Sequence, residues 1–217
     1  MAMVKVKTIT GRAAGAPALH VHPQPSVRRM AGWLRVSGSL SARLAAASGS
    51  LEVRVVRQGP VRLQPAEAQR LGCHPGAAAH GREVLLLAGG VPVVFARSVL
   101  QSVHARGAWK AIRGLGSRSL ADLLFGQPSL PRSGFEFARL APGSRWATAV
   151  HRRWLASTGQ DWGRREVWAR CSVFTRRGAP LLVTECFAPA VLELEAPRRA
   201  RAERWSPQAP SGRHPRN

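Results

Sequence analysis

Tyrosine is absent from these 217 residues, aspartate occurs only as Asp122 and Asp161, and lysine only as Lys5, Lys7 and Lys110. So few carboxylates all but exclude acid-rich metal sites and paired-aspartate chemistry. Three cysteines, Cys73, Cys171 and Cys186, stand at unrelated spacings, which argues against a disulfide framework and fits a reducing compartment. Cys73-His74 has no second pair at zinc spacing, so no metal is expected. The glycines of 76–81 follow no strand and open no helix, which removes the phosphate-cradling loop, and the elbow motif of a Ser-His-Asp enzyme is missing. No apolar run approaches the ~20 residues of a membrane span. Met1 to Thr10 sets lysines between single apolar residues, with no signal-peptide core. A soluble cytoplasmic protein without a transmembrane segment is expected, with any chemistry resting on Arg, Glu, backbone and shape.

What is abundant is arginine. The formal charge is +22, a value that invites nucleic acid or an anionic membrane surface as partner. Its distribution is diffuse, however. Arg198, Arg199, Arg201, Arg204, Arg213 and Arg216 lie in the tail, others are scattered, and no basic run interleaves with aromatics. No specific nucleic-acid partner is therefore expected. Hydrophobic content of 45% over this length suits one domain with a proper core.

Residues 1–26 mix Gly, Ala, Pro and His without a period and read as a flexible arm. From Val27 the spacing of Met30, Trp33 and Leu34 is helical, and a second helix starts at the N-cap Ser39, with Leu40 and Leu44 on one face and Gly49 as its stop. Leu51 to Arg57 alternates as a strand, Gln58-Gly59-Pro60 reads as a turn, and Val61 to Gln64 as a short strand. Residues 65–81 read as a helical turn and a loop. Ala108 to Leu115 is helical, and Leu120 to Phe125 forms a short helix capped by Ser119 and stopped by Gly126. Ser133 to Leu140 alternates as a strand. Residues 141–166 read as a surface insertion holding a helix over Thr148 to Ala156, and 196–217 as a disordered Arg/Pro-rich tail. The domain spans 27–195. Adjacent hairpins imply one antiparallel sheet covered by helices, an α+β fold.

The first hairpin is Arg82 to Arg97, with Gly89-Gly90 supplying the positive φ angles of a two-residue turn. Simple pairing sets Leu86 opposite Val93, Val84 opposite Phe95 and Arg82 opposite Arg97, and puts Pro92 where its missing N–H costs nothing. Facing guanidinium groups on an apolar face repel, so they either ask for an anion between them or splay into water at the strand ends. The second hairpin runs from Val167 to Ala188 around Arg177-Gly178 and sets Arg170 opposite Glu185. Glu185 occupies a face otherwise given to Leu181, Val183 and Phe187. It is either an ordinary cross-strand ion pair or a buried carboxylate suited to acid–base work.

Arg82-Glu-Val-Leu-Leu, Gly-Val-Pro-Val-Val-Phe-Ala-Arg97, Leu120-Ala-Asp-Leu-Leu-Phe125, Trp168-Ala-Arg170-Cys-Ser172 and Gly178-Ala-Pro-Leu-Leu-Val-Thr-Glu185-Cys-Phe-Ala-Pro189 together resemble the chorismate lyase family, in order and spacing, over about residues 30–190. The resemblance implies a six-stranded antiparallel sheet with flanking helices, a monomer, and cofactor-free conversion of chorismate to 4-hydroxybenzoate and pyruvate, the first committed step toward ubiquinone. It matches Arg82 to the arginine that grips the ring carboxylate, Glu185 to the glutamate near the ring hydroxyl, and Leu120 to a leucine whose backbone contacts the ligand. Leu40 falls where the family commonly has Met, and Ala96 where a Gly is familiar beside the ring. Residues 141–166 and the tail exceed the compact members. On this reading Arg82 and Arg97 hold the two carboxylates of chorismate and Glu185 serves the ring hydroxyl and relays the proton. The rivals are a non-catalytic small-acid-binding module of the same fold, as in effector domains of GntR-type regulators, which needs a DNA-binding segment before residue 30 that the short arm does not supply, and a basic nucleic-acid or ribosome-associated protein.

Overall fold

Strand β2 (Ala79–Ala88) is buried along almost its whole length, and so is β3 (Val91–Gln101). Near-continuous apolar runs such as Val84 to Ala88 and Val91 to Ala96 suit strands covered on both faces. The computed structural model describes residues 25–125, 130–162 and 166–195, for 25–27 the backbone alone. The expected tail, most of the N-terminal arm and the stop at Gly126 lie outside the described residues.

Both hairpins form around the predicted turns. Gly89 and Gly90 have φ of 57° and 82°, and Arg177 and Gly178 have φ of 50° and 75°, the positive angles that match a two-residue turn to strand twist. They meet through pairing of β3 with β6 (Ala179–Phe187), which pairs with β5 (Val167–Arg176). Adding β1 (Leu51–Val61) on one edge and β4 (Glu136–Leu140) on the other gives one antiparallel sheet of order β1-β2-β3-β6-β5-β4. The second hairpin keeps the simple register, with Arg176 opposite Ala179 and Arg170 opposite Glu185.

The first hairpin does not. Leu87 pairs with Pro92 as simple counting requires, but Leu86 pairs with Val94, which leaves Val93 as a bulge. Every pair beyond moves by one: Val84 faces Ala96, Glu83 faces Arg97 and Arg82 faces Ser98. Because side chains alternate with period two, the slip transfers Arg97 to the opposite sheet face from Arg82. The buried methyls of Val93 join the core formed by Met30, Trp33 and Val94, so burial compensates the unpaired backbone.

A second bulge, at Val56, carries β1 straight through Gln58-Gly59-Pro60 where a turn is expected. Pro60 is tolerated because β1 is an edge strand. A Cβ at Gly81 would meet Val61 Cγ1 at 2.8 Å, so a glycine is needed where β2 passes that stiff side chain.

Helices cover both faces. On one face lie α1 (Pro25–Leu34), α2 (Leu40–Ser48), α4 (Ser102–Arg106), a 3₁₀ turn (Lys110–Gly114) and α5 (Leu120–Phe125). They bury two apolar clusters, one joining Trp33 and Leu44 to Val84 and Leu86, the other joining Trp109 and Leu124 to Phe174 and Leu181. The predicted caps hold: Ala42 N–H donates to Ser39 Oγ at 3.1 Å and Ala121 N–H to Ser119 Oγ at 3.1 Å. On the other face lie α3 (Pro65–Arg70) and α6 (Arg145–Thr158). Helix α6 lies in the stretch expected as a surface insertion, yet Ala147, Val150 and Trp154 are buried against Leu85, Phe95 and Cys186. Its arginines hid an apolar stripe at helical spacing. Other boundaries differ by local amounts: β2 starts inside the expected 65–81 loop, the expected 108–115 helix is only the 3₁₀ turn, with the unexpected α4 just before it, and β4 starts at Glu136.

Candidate functional site

Between the two apolar clusters of the first face a cavity remains. Its floor is the sheet, with Arg82 and Val84 from β2, Ala96 and Ser98 from β3, Val183 and Glu185 from β6, and Arg170, Ser172 and Phe174 from β5; Leu40 and Ser41 of α2 and Leu120, Ala121 and Leu124 of α5 roof it. Leu40, Arg82, Ala96, Leu120 and Glu185 thus come together, although they are spread over 145 positions of sequence. Ser119 Oγ donates to Ser41 Oγ at 3.0 Å, joining the starts of α5 and α2 above the floor.

Arg82 is 2% exposed. Its Nη2 donates to the carbonyls of Gly116 and Arg118, both at 2.9 Å, while its Nε is buried without a partner among the described residues. No carboxylate pairs with it among the described residues, and burial pushes its pKa below the usual value. A buried cation without a counter-charge is costly, and an anion at this end of the cavity would offset that cost.

Glu185 lies one strand beyond β3. In the ladder, Val84, Ala96, Glu185 and Arg170 form one row, and Arg82, Ser98, Val183 and Ser172 the next. Two strand spacings of roughly 4.8 Å and a two-residue step of roughly 6.7 Å separate the Arg82 and Glu185 backbones, and both residues line the same cavity. Ala96 lies between Val84 and Glu185 in that row, and its methyl group keeps the floor low. Arg170, 2% exposed, donates from Nε to Glu185 Oε2 at 2.5 Å and from Nη1 to the carbonyls of Leu34 and Val36 at 3.2 and 2.7 Å. The pair read across the second hairpin is a cross-strand ion pair, and a partly buried one: the Glu185 side chain is 16% exposed and that of Arg170 2%.

Arg97 also borders the cavity, but its guanidinium does not join them. On the opposite sheet face it donates to Glu67 Oε1 at 2.7 Å and Glu83 Oε1 at 2.5 Å, and Arg153 also donates to Glu83 at 2.5 Å. Burial works against the Arg97 charge, but hydrogen bonds and attraction from Glu67 and Glu83 outweigh it and raise its pKa. The expectation that Arg82 and Arg97 flank one anion is therefore corrected, and its physical cause is the Val93 bulge.

Sequence reasoning missed Arg132, which lines the cavity beyond β5 through an isolated bridge to Phe174. It also missed Phe135, on which both Arg132 and Arg170 stack at 4.2 and 4.3 Å from the ring centroid. Arg132 precedes the alternation read over Ser133 to Leu140, and that alternation marks Phe135 only as a strand residue, whereas β4 starts one residue later, at Glu136. Burial pushes the pKa of the thiols of Cys73, Cys171 and Cys186 upward, which argues against cysteine nucleophiles. No cluster of metal-ligating side chains occurs among the described residues, and no helix there is long and apolar enough to cross a membrane.

Fold and cavity define an α+β protein whose sheet and two helices enclose a pocket lined by Arg82, Arg132, Arg170 and Glu185. The model of one family, described as chorismate lyase, matches residues 21–195. Curated relatives include a "Probable chorismate pyruvate-lyase" of Albidiferax ferrireducens, 49% identical over 156 residues that cover 72% of this chain and 79% of the relative. Another of the same description, from an Azoarcus species, is 44% identical over 184 residues, 84% of this chain and 95% of the relative. The chain belongs to the chorismate lyase family. Among solved structures, PhnF from Mycobacterium smegmatis shares the fold, with a TM-score of 0.52 at 19% identity, over 71% of this chain and 65% of that one.

Proposed function

We propose that this chain converts chorismate to 4-hydroxybenzoate and pyruvate, the step that commits chorismate to ubiquinone, without a cofactor. The observation that carries the reading is Arg82, a buried guanidinium without a counter-charge among the described residues, in a cavity whose floor also holds Glu185. Relatives described as chorismate pyruvate-lyases support it over most of the chain.

The chemistry asks little of the protein. The C4–H electron pair becomes the third ring double bond as the C3–O bond breaks, and the departing enolpyruvate gains a proton at its methylene carbon to become pyruvate. The proton balance closes within the substrate, no electrons are gained or lost, and aromatisation supplies the driving force. Orientation and one proton transfer remain for the enzyme. Arg82 holds the ring carboxylate by charge-assisted hydrogen bonds. Glu185, steadied by Arg170, accepts from the ring hydroxyl and relays the proton. Leu40, Leu120 and Ala96 shape the apolar walls around the ring. The catalytic unit is 27–195, acting as a cytoplasmic monomer on a small-molecule substrate with no specific nucleic-acid partner.

Purified chain incubated with chorismate should release 4-hydroxybenzoate and pyruvate in equal amounts, followed by absorbance and by a lactate dehydrogenase coupled assay. Tight 4-hydroxybenzoate binding without turnover would return the protein to a non-catalytic acid-binding module.

A further inference from the structure

We infer that Arg132 binds the second carboxylate of the substrate, the one on the enolpyruvyl ether, and so distinguishes substrate from aromatic product. The inference rests on the proposed reaction. A dianion needs two cationic contacts, and the arginines in or near the cavity can be sorted by what already holds them. Arg97 is committed to Glu67 and Glu83 on the other face. Arg170 is committed to Glu185 and to the carbonyls of Leu34 and Val36. Arg82 takes the ring carboxylate. Arg132 lines the same cavity and forms no ion pair among the described residues.

Its placement fits the task. The bridge to Phe174 sets Arg132 outside β5, across the floor from Arg82 on β2, with Glu185 on β6 between them. The guanidinium stacks over Phe135 at 4.2 Å and stands 5.8 Å from the Phe174 ring centroid. Stacking fixes the guanidinium plane yet consumes none of its N–H donors, so the fork remains available to a carboxylate. Burial and the nearby Arg170 charge depress the Arg132 pKa against an opposing pull from Glu185, a tension that an incoming anion relieves. With Arg170 and Glu185 cancelling, the cavity carries two positive charges, Arg82 and Arg132. Chorismate neutralises both; 4-hydroxybenzoate neutralises only one.

The test compares ligands with one and two carboxylates. Arg132→Gln should lower kcat/KM for chorismate by about tenfold to a hundredfold, the equivalent of losing a hydrogen bond to a charged group, while the Kd of 4-hydroxybenzoate stays within about twofold on the same scale. Wild type should bind 3-carboxymethoxy-4-hydroxybenzoate more tightly than 4-hydroxybenzoate, and Arg132→Gln should lose that advantage. Arg132→Lys, which keeps the charge but not the fork, should fall between; it carries the test if the Gln variant does not fold. Unchanged kcat/KM, or equal loss of affinity for both ligands, overturns the assignment while leaving the reaction standing. A wild-type chain that makes no 4-hydroxybenzoate overturns the reaction, and the assignment with it.

Discussion

Glu83 and Arg97 face each other across the β2–β3 ladder, with Arg97 Nη1 2.5 Å from Glu83 Oε1 and both side chains buried, at 1% and 4% exposure. Glu83 also receives Arg153, and Arg97 also reaches Glu67. Removing one member of such a network strands the others. Glu83→Ala should therefore destabilise the fold by about 3–5 kcal/mol, measured as a shift in urea unfolding, and Tm should drop although the residue lies outside the cavity.

Arg82 should behave in the opposite way. Its charge is buried without a counter-charge among the described residues, so its presence costs stability, as expected of a residue kept for a ligand. Arg82→Gln should weaken 4-hydroxybenzoate binding by roughly tenfold to a hundredfold, the equivalent of a charge-assisted contact, while the urea midpoint does not fall. Calorimetric titration and denaturation of the same preparation check both halves; unchanged affinity would sink the carboxylate grip.

Glu185→Gln keeps the side-chain shape but removes the charge that faces Arg170. If the carboxylate relays the proton, 4-hydroxybenzoate formation should slow by about a hundredfold or more, the usual scale for a positioned acid–base group. Stopped-time product assays at saturating chorismate report it directly. An unchanged rate would remove the proton role and leave Glu185 as a hydrogen-bond acceptor alone.

His151 supplies a pH signature independent of the reaction. Its Nε2 is buried without a partner among the described residues, its ring packs against Trp162 at 5.4 Å between centroids, and burial lowers its pKa despite the opposing charge of Asp161. A lowered folded-state pKa means that the unfolded chain takes up the proton more readily, so this contribution is fully present above the ordinary histidine value of about 6.5 and is lost as pH falls through the folded-state value. Tm should fall on acidification from about pH 7.5 to pH 5, and His151→Gln should show a shallower fall.

Much of the fold could be read from local pattern. The Gly89-Gly90 and Arg177-Gly178 turns, the Ser39 and Ser119 caps and the Arg170–Glu185 pair depend on residues close in sequence or on a two-residue turn that sets register by itself. The bulges at Val56 and Val93 were not legible, since a bulge is favoured by what its extra side chain packs against. For Val93 those neighbours are Met30 and Trp33, about sixty positions away. Helix α6 was misplaced to the surface for a related reason: its apolar stripe has meaning only once Leu85 and Phe95 are beside it.

The site divides along the same line. By itself the chain determined that a hairpin would carry Arg82 on an apolar face, that a second would carry Glu185 opposite Arg170, and, through linked motifs, which family it belongs to. Tertiary structure alone decided which arginines share a cavity. One extra residue in β3 turned Arg97 away to Glu67 and Glu83, and an irregular segment beyond β5 brought in Arg132. Strand alternation makes the facing of every side chain depend on register, and register here was set by packing across distant segments rather than by the turn.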